Sequence, residues 1–107
     1  MEQALSGVST SFQAFLTQAP GHANAWMTAV KELDEACSLD QKTREIAYIA
    51  VLAALRMDSG IPFHVRAARD RGVSRAEIVS AILVGLPAAG NAVTQVLPSA
   101  LAAYDAP

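Results

Sequence analysis

Apolar residues recur every three or four positions through most of the chain, which is the spacing of one face of an α-helix. No segment shows the strict alternation of apolar and polar residues that marks a half-buried strand. The pattern predicts an all-α fold of six helices around a central helical hairpin. The first three helices are expected at 2–18, 22–36 and 39–57. The fourth is expected at 62–72, the fifth from 74 towards 87–90, and the sixth at 91–104.

Helix-capping signals set two of these starts. Ser38, followed three residues later by Gln41, is a predicted capping box for the third helix. The clearest boundary in the chain is "SRAE", in which Ser74 and Glu77 open the fifth helix in the same way.

Proline and glycine mark further boundaries. Pro62 is tolerated in the first turn of the fourth helix, where no backbone N–H is needed, and Gly72 suits the left-handed position after its last turn. Pro87 and Gly90 are expected to kink or end the fifth helix, and Pro98 to be an irregularity inside the sixth.

The third helix is apolar on nearly every side from Ile46 to Leu55, which favours a helix buried by its neighbours and by another subunit. In the second helix, Trp26 has the spacing of a core anchor. Apolar residues make up 52% of the chain and alanine occurs 22 times, so one monomer of this size cannot hide all its hydrophobic surface. These features together predict an oligomer with an apolar interface.

Length and charge narrow the function classes. At 107 residues, the chain is predicted to be a single domain over 1–107. A net charge of −2 without a basic run argues against nucleic acid and anionic membranes as partners. No secretory signal is visible and the apolar runs are too short to cross a bilayer, so we expect a soluble cytoplasmic protein.

Cofactor chemistry has no support in the sequence. The single cysteine, Cys37, excludes an internal disulfide and leaves no pair for a metal or redox motif. No phosphate-binding glycine loop and no His/Cys/Asp cluster with metal-ligand spacing is present, so neither a metal nor a cofactor is expected.

The segment "LRMDSGIPFHVRAARDRG" (residues 55–72) carries the candidate chemistry. An apolar helix ends there, turns, and restarts with His64 near a helix N-terminus, which disfavours a charged imidazole. Glu45 and Arg56 lie eleven residues apart, so they share nearly one side of the third helix. An antiparallel fourth helix would bring His64 to that side, where a carboxylate and an imidazole make a proton shuttle.

Simpler interpretations of the same residues remain open. His64 is equally consistent with a capping or surface residue, and Glu45 with a solvated residue beside Lys42. Arg56 is placed to pair with Asp58 at the exposed end of its helix. Cys37, just before a helix, is either weakly activated by the helix dipole or an inert thiol.

Many positions of the chain resemble the carboxymuconolactone decarboxylase family, which includes the alkylhydroperoxidase D-like proteins. The resemblance covers about residues 36–105, and its most specific parts are "LDQKTRE", "HVRAARDRG" and "GVSRAEI". It implies an all-α, alkylhydroperoxidase-like fold that assembles as homotrimers, or as homohexamers built from dimers.

In the peroxidase branch of that family, a glutamate acts with a C-x-x-C-x-x-x-H motif. The resemblance places this glutamate on Glu45 and the histidine on His64, but the two cysteines fall on Met57 and Gly60. A thioether cannot attack a peroxide as a thiolate does, and glycine has no side chain to form a disulfide. We therefore do not expect dithiol peroxidase activity.

The lactone decarboxylase branch uses no cysteines and keeps the histidine. The spacing from Thr43 to His64 fits this branch, whereas the acidic residues that the branch carries around positions 59 and 60 are missing. That departure argues against carboxymuconolactone itself as the substrate. A charged dicarboxylate would need cationic partners, and those near enough in sequence are Arg44, Arg56 and Arg66, the first of which is equally suited to holding the fold.

These arguments predict an oligomeric acid–base enzyme that acts on a small acidic or carbonyl-bearing molecule, as a lyase of decarboxylase, lactone or keto-acid type. Its catalytic residues would be Glu45 and His64. The predicted substrate-binding residues are Arg56, Met57, Gly60 and Phe63, with Tyr48 as a further apolar wall. Two alternatives stay open: a catalytically inactive binding or assembly member of the family, and residual alkylhydroperoxide reduction through Cys37.

Overall fold

A computed structural model describes residues 8–107, and the part of the first predicted helix at 2–7 lies outside this range. Within 8–107 the chain forms α-helices and no strands, so the predicted fold class is confirmed. Six helices have nine or more residues, as the sequence predicted, and α6 is a short addition. The helices are α1 (Thr10–Gln18), α2 (Pro20–Ala36), α3 (Gln41–Ala54), α4 (Ile61–Asp70), α5 (Arg75–Leu83), α6 (Leu86–Ala89) and α7 (Leu97–Asp105), with 3₁₀ turns at Asp58–Gly60 and Asn91–Val96.

Proline begins four of the seven described helices. Pro20, Pro62, Pro87 and Pro98 stand in the first turns of α2, α4, α6 and α7, where the missing N–H has no helical partner to lose. The prediction for Pro98 was therefore wrong, because this residue starts α7 instead of interrupting a longer helix. The segment before it, Asn91–Val96, winds as a 3₁₀ turn.

The capping boxes give one confirmation and one correction. Ser74 and Glu77 form the predicted reciprocal box at the start of α5. At α3, however, Asp40 is the cap instead of Ser38: its carboxylate accepts the backbone N–H of Thr43 at 2.8 Å and the Thr43 hydroxyl at 3.1 Å. These hydrogen bonds, the backbone one first, hold the pKa of the Asp40 carboxyl below its ordinary value.

α3 ends earlier than predicted because of a left-handed turn. Arg56 has φ of 56°, and the N–H groups of Arg56 and Met57 return to the carbonyls of Ala53 and Leu52 at 3.1 and 2.9 Å. This is a Schellman cap, and the same pair of hydrogen bonds closes α4 around Gly72, as the sequence predicted. Arg56 has therefore left the helix, and the shared side of α3 that was predicted for Glu45 and Arg56 does not exist.

The hydrophobic core lies between α3, α4, α5 and α7. Its largest fully buried side chains are Ile49, Ile61, Val65, Val73, Ile78, Ile82, Val93 and Val96. α1 and α2 form a hairpin outside this core, and among residues 8–107 α2 packs extensively only against α1. Arg44 ties the end of α2 to α3 by donating to the carbonyl of Asp34 at 3.2 Å, so this arginine holds the fold.

Candidate active site

The α3–α4 hairpin brings Glu45 and His64 together, as the sequence predicted. Glu45 lies in the first half of α3 and His64 in the first turn of α4, and their side chains meet between the two helices. Glu45 Oε2 lies 3.7 Å from His64 Nδ1, and the two side chains are only 16% and 28% exposed. A sheltered carboxylate thus faces one ring nitrogen of an imidazole, which leaves Nε2 on the side away from the carboxylate.

Arg71 joins Glu45 and His64 in a cluster of three charged or titratable side chains, and the sequence analysis missed it. Its Nη1 donates to Glu45 Oε1 at 3.1 Å, and its Nε approaches Gln41 Oε1 at 3.4 Å. A usable signal was present, because Arg71 follows His64 by seven residues, which is two helical turns on the same side of α4. The sequence analysis had placed Arg56 on the same side of α3 as Glu45 and had assigned no role to Arg71.

The two oxygens of Glu45 differ in their surroundings. Oε1 carries the hydrogen bond from Arg71, whereas Oε2 is buried and has no hydrogen-bond partner among residues 8–107. The separation of 3.7 Å from His64 is beyond hydrogen-bond length. A buried carboxylate oxygen without a donor is unfavourable, so Oε2 is an acceptor ready for a protonated imidazole or a bound molecule.

Two aromatic rings enclose the His64 imidazole. The Tyr48 ring centroid lies 4.4 Å away with the planes tilted by 41°, and the Phe63 ring lies 5.3 Å away in an edge-on arrangement. Both aromatic side chains are partly exposed, so they border the imidazole on the solvent side. This is the position that the sequence analysis predicted for the apolar walls of the site, and their contact with a ligand stays a prediction.

The other predicted binding residues lie around the turn between the helices. Arg56 and Met57 are exposed after the end of α3. A Cβ on Gly60 would meet the Leu52 side chain at 3.5 Å, so this glycine lies against the core. Asp58 accepts a hydrogen bond from Ser99 at 3.1 Å, and the described residues contain no ion pair between Asp58 and Arg56.

An open groove of about 650 Å³ runs along the outer side of α4. It shares Phe63 and Arg71 with the Glu45–His64 cluster, and Arg66 lines it as well. Arg69 also lines the groove, but its guanidinium is held by the backbone carbonyls of Tyr104 and Ala106. Three arginines and the Asp70 carboxylate thus line this groove, which adjoins the Glu45–His64 cluster at Phe63 and Arg71.

Cys37 lies apart from this cluster in the chain and ends α2. The sequence analysis placed Cys37 just before a helix, and in the structure α3 begins four positions later, at Gln41. Cys37 therefore lies at the carbonyl end of a helix and not at the N-terminus of one. Within residues 8–107, no group of three or more His, Cys, Asp or Glu side chains is arranged to hold a metal ion.

A sequence profile described as the carboxymuconolactone decarboxylase family matches residues 20–103, which is most of the chain. The chain belongs to the carboxymuconolactone decarboxylase family. No curated protein and no solved structure gives a significant match. In this family member, the match spans α2 as well as the α3–α4 hairpin that carries Glu45 and His64. Among the described residues, no helix has the length and apolar character needed to cross a membrane.

Proposed function

We propose that this carboxymuconolactone decarboxylase family member is an acid–base enzyme that acts on a small acidic or carbonyl-bearing molecule. The reaction is of the decarboxylase, lactone or keto-acid type and uses no dithiol. One observation carries this proposal: Glu45 Oε2 is buried, lacks a donor among the described residues, and faces His64 Nδ1 at 3.7 Å. A carboxylate in that position stabilises the imidazolium that forms when His64 takes a proton.

Each member of the cluster has a distinct role in this proposal. His64 accepts a proton from the substrate and returns it to the product, while Glu45 orients the ring and balances its transient charge. Arg71 holds Oε1, so that Oε2 is the oxygen presented to the imidazole. In a decarboxylation, the electron pair of the breaking C–C bond passes to a conjugated carbonyl, and His64 supplies the proton that replaces carbon dioxide.

The groove along α4 supports a ligand with a negative or strongly polar group. Arg66 and Arg71 line it and Phe63 provides an apolar wall. Guanidinium groups suit carboxylates because they donate two parallel hydrogen bonds. Arg56, Met57 and Gly60 would then border the ligand from the turn side.

The test compares His64→Ala with His22→Ala on a panel of small lactones and β-keto acids. His22 is exposed on α2, so its loss controls for removal of a histidine as such. Turnover is measured as ring opening of the lactones and as carbon dioxide release from the keto acids. We expect His64→Ala to lower kcat by roughly 10² to 10⁴ and His22→Ala to leave it unchanged. Equal turnover by His64→Ala and the wild type would contradict the proposal.

The same variants test the inactive alternative. Arg71 holds Glu45 in an ion pair, and a purely structural cluster has this feature too. Under that alternative the wild type turns over no member of the panel, and His64→Ala lowers the free energy of unfolding by about 1–3 kcal/mol. Thiol-dependent reduction of an organic hydroperoxide that disappears in Cys37→Ser would instead support the redox alternative.

A further inference from the structure

His64 lies against the ring of Tyr48, a side chain that the sequence analysis assigned only as an apolar wall. The two ring centroids are 4.4 Å apart and the planes are tilted by 41°. This separation is at the short end of the range for ring pairs, so the imidazole lies partly over a face of the phenol ring. Phe63 makes a longer contact, with centroids 5.3 Å apart and planes at 82°. Of these two aromatic neighbours, Tyr48 is the one that is closer to being stacked on the imidazole.

Tyr48 and Glu45 reach His64 from the same helix. They are three residues apart on α3, which puts their side chains at neighbouring positions of one helix face. Glu45 approaches the imidazole at its edge, near Nδ1, while Tyr48 contacts its face. The outermost torsion of a histidine side chain has only a weak preference of its own, so outside contacts set the plane of the ring. Here two side chains of α3 supply those contacts.

Glu45 is not a full counter-charge for a protonated His64. Its Oε1 already accepts a hydrogen bond from Arg71 at 3.1 Å, so the negative charge of this carboxylate is shared between two cations. The N-terminus of α4, where His64 lies, disfavours a positive charge as well. The face of an aromatic ring carries partial negative charge and attracts a cation within about 6 Å of its centroid. We propose that Tyr48 is a positioning residue, whose ring face holds the His64 imidazolium through a cation–π interaction.

The surroundings of the two rings favour an interaction of moderate strength. The His64 side chain is 28% exposed and Tyr48 is 46% exposed, so the pair is neither fully hydrated nor dry. A cation–π interaction is weak between well-hydrated groups and strengthens as water is removed. Because the neutral imidazole has no net charge, Tyr48 acts on the protonated form. We expect the phenol ring to shift the His64 titration by about 0.4–0.7 pH units in favour of that form.

The other charged groups around α4 are engaged elsewhere or lie outside this contact. Asp58, in the turn before α4, accepts a hydrogen bond from α7 at 3.1 Å. On α7, Asp105 forms an ion pair with α5, and the Tyr104 hydroxyl donates to a backbone carbonyl at 2.9 Å. The remaining charged side chains of the α3–α4 hairpin have partners away from His64, line the outer groove or follow the end of α3: Lys42, Arg44, Arg56, Arg66, Arg69 and Asp70. Within residues 8–107, the side chains of the preceding paragraphs are thus the ones that set the charge of the imidazole.

The consequence for catalysis rests on the proposed acid–base function. A contact that favours the imidazolium lets His64 take a proton from the substrate more readily. The contact itself can be measured without a substrate, because the sequence contains two histidines, His64 and His22. His22 is exposed on α2, so it serves as an internal reference.

The first test is a proton NMR titration of both histidines in the wild type, Tyr48→Leu, Tyr48→Phe and Val51→Ala. Tyr48→Leu should lower the His64 midpoint by about 0.4–0.7 pH units. Tyr48→Phe keeps the ring, and Val51→Ala truncates another exposed residue of α3, so both should leave the midpoint in place. The sign is diagnostic, because mere loss of cover would expose His64 to water and raise its midpoint. An unchanged or raised midpoint in Tyr48→Leu, or an equal fall in Tyr48→Phe, would overturn the proposal.

Two further measurements separate the ring face from a purely structural role of Tyr48. In a Glu45→Gln background, Tyr48→Leu should still lower the His64 midpoint. Loss of the effect there would contradict the cation–π interaction, because Tyr48 would then act only by holding the imidazole against the carboxylate. In the wild type, the ring protons of His64 should resonate upfield of those of His22, since protons over an aromatic face are shielded. Equal chemical shifts would show that the contact is not kept in solution.

A pH–rate profile connects the contact to turnover. For a lactone or keto acid that the wild type turns over, the acid limb of kcat/KM should move with the NMR midpoint in Tyr48→Leu. An acid limb that stays in place while the NMR midpoint falls would contradict the proposed function of His64 and leave the cation–π contact standing. If no member of the panel is turned over, the proposed function fails, and the NMR titration still decides the role of Tyr48.

Discussion

The α3–α4 hairpin and the α1–α2 hairpin are built alike but packed very differently. α3 and α4 bury Ile49, Ile61 and Val65 completely against α5 and α7. The α1–α2 hairpin has one buried residue, Ala23, while Trp26 and Leu33 are 54% and 66% exposed. Apolar helical spacing is present in both hairpins, so the spacing alone does not decide which one joins the core.

The difference shows which contacts stabilise the fold. Buried aliphatic side chains join the α3–α4 hairpin to α5 and α7. Within the hairpin, Arg71 binds Glu45 and a Schellman turn closes each helix. The aromatic pair of Phe12 and Phe15, with centroids 6.1 Å apart, lies within α1 alone. The Arg44 link connects the end of α2 to α3. Substitutions in the two hairpins should therefore differ strongly in their effect on unfolding.

The largest expected effect is truncation of a core side chain. Ile49→Ala should lower the free energy of unfolding by roughly 2–4 kcal/mol, because it leaves a cavity in a site with no solvent exposure. Leu33→Ala, the matched truncation on α2, should cost less than about 1 kcal/mol. Urea unfolding measures both values, and equal losses would show that the two hairpins contribute alike.

Next in size is the left-handed turn that ends α4. Gly72 has φ of 88°, and a Cβ at this position would meet no other atom within 4 Å. Gly72→Ala should therefore cost about 1–2 kcal/mol through backbone strain alone. Gly21→Ala in α2, where φ is ordinary and space is also open, is the control and should be neutral or stabilising. Equal unfolding midpoints for the two variants would argue against strain as the cause.

Loss of the arginine beside Glu45 should have an intermediate effect. Arg71→Leu leaves a largely buried carboxylate without its cation and should cost about 1 kcal/mol, a value reduced by the partial exposure of Arg71. Arg75→Leu breaks the ion pair with Asp105 on the surface and should cost less. Adding Glu45→Gln to Arg71→Leu removes the buried charge and should restore the lost stability. If it does not, the unpaired charge of Glu45 is not the cause of the loss in Arg71→Leu.

A small gain in stability is expected at the end of α3. Arg56 occupies the left-handed region at φ of 56°, which disfavours residues with a Cβ. Arg56→Gly should raise the free energy of unfolding by about 0.5–1 kcal/mol, whereas Arg56→Ala should not. Thermal unfolding of the two variants separates backbone strain from loss of the arginine side chain.

The smallest effect is a loss of stability in acid that is confined to α3–α7. The backbone N–H of Thr43 lowers the pKa of Asp40, that of Ser74 lowers the pKa of Glu77, and the Arg75 side chain lowers the pKa of Asp105. Each carboxylate therefore contributes stability that is present above its unfolded pKa, near 3.8 for Asp and 4.5 for Glu, and is lost as the pH falls through its lower folded value.

Hydrogen exchange between pH 6 and pH 3 would locate this loss. No carboxylate caps a helix of the α1–α2 hairpin in the described range, because α1 is capped by Ser9 and α2 has no side-chain cap. Asp40→Asn keeps a side chain that can cap α3 but removes the carboxyl group that titrates. Hydrogen-exchange protection at the start of α3 should therefore depend less on pH in this variant than in the wild type. An identical pH dependence in both proteins would exclude Asp40 as a source.

Local signals in the sequence were sufficient for the all-α class, the boxed start of α5, the left-handed Gly72 and the pairing of Glu45 with His64. Each depends on interactions within about one turn, or on the hairpin that a short connection enforces. Proline positions were equally informative, although Pro98 was assigned to the interior of a helix that it in fact begins. The resemblance to the family was noted over about residues 36–105, and the family profile matches residues 20–103.

The tertiary structure decided the rest, because these features depend on which surfaces meet. Trp26 has the spacing of a core residue yet stays exposed, since α2 has little contact with the core. Arg71 is the cation on Glu45, and Arg56 is not, because a left-handed turn ends α3 two residues after Ala54 and the antiparallel return of α4 brings Arg71 back. Periodicity fixes the faces of a helix, but only the packing of one helix on another determines which face is buried and which charges meet.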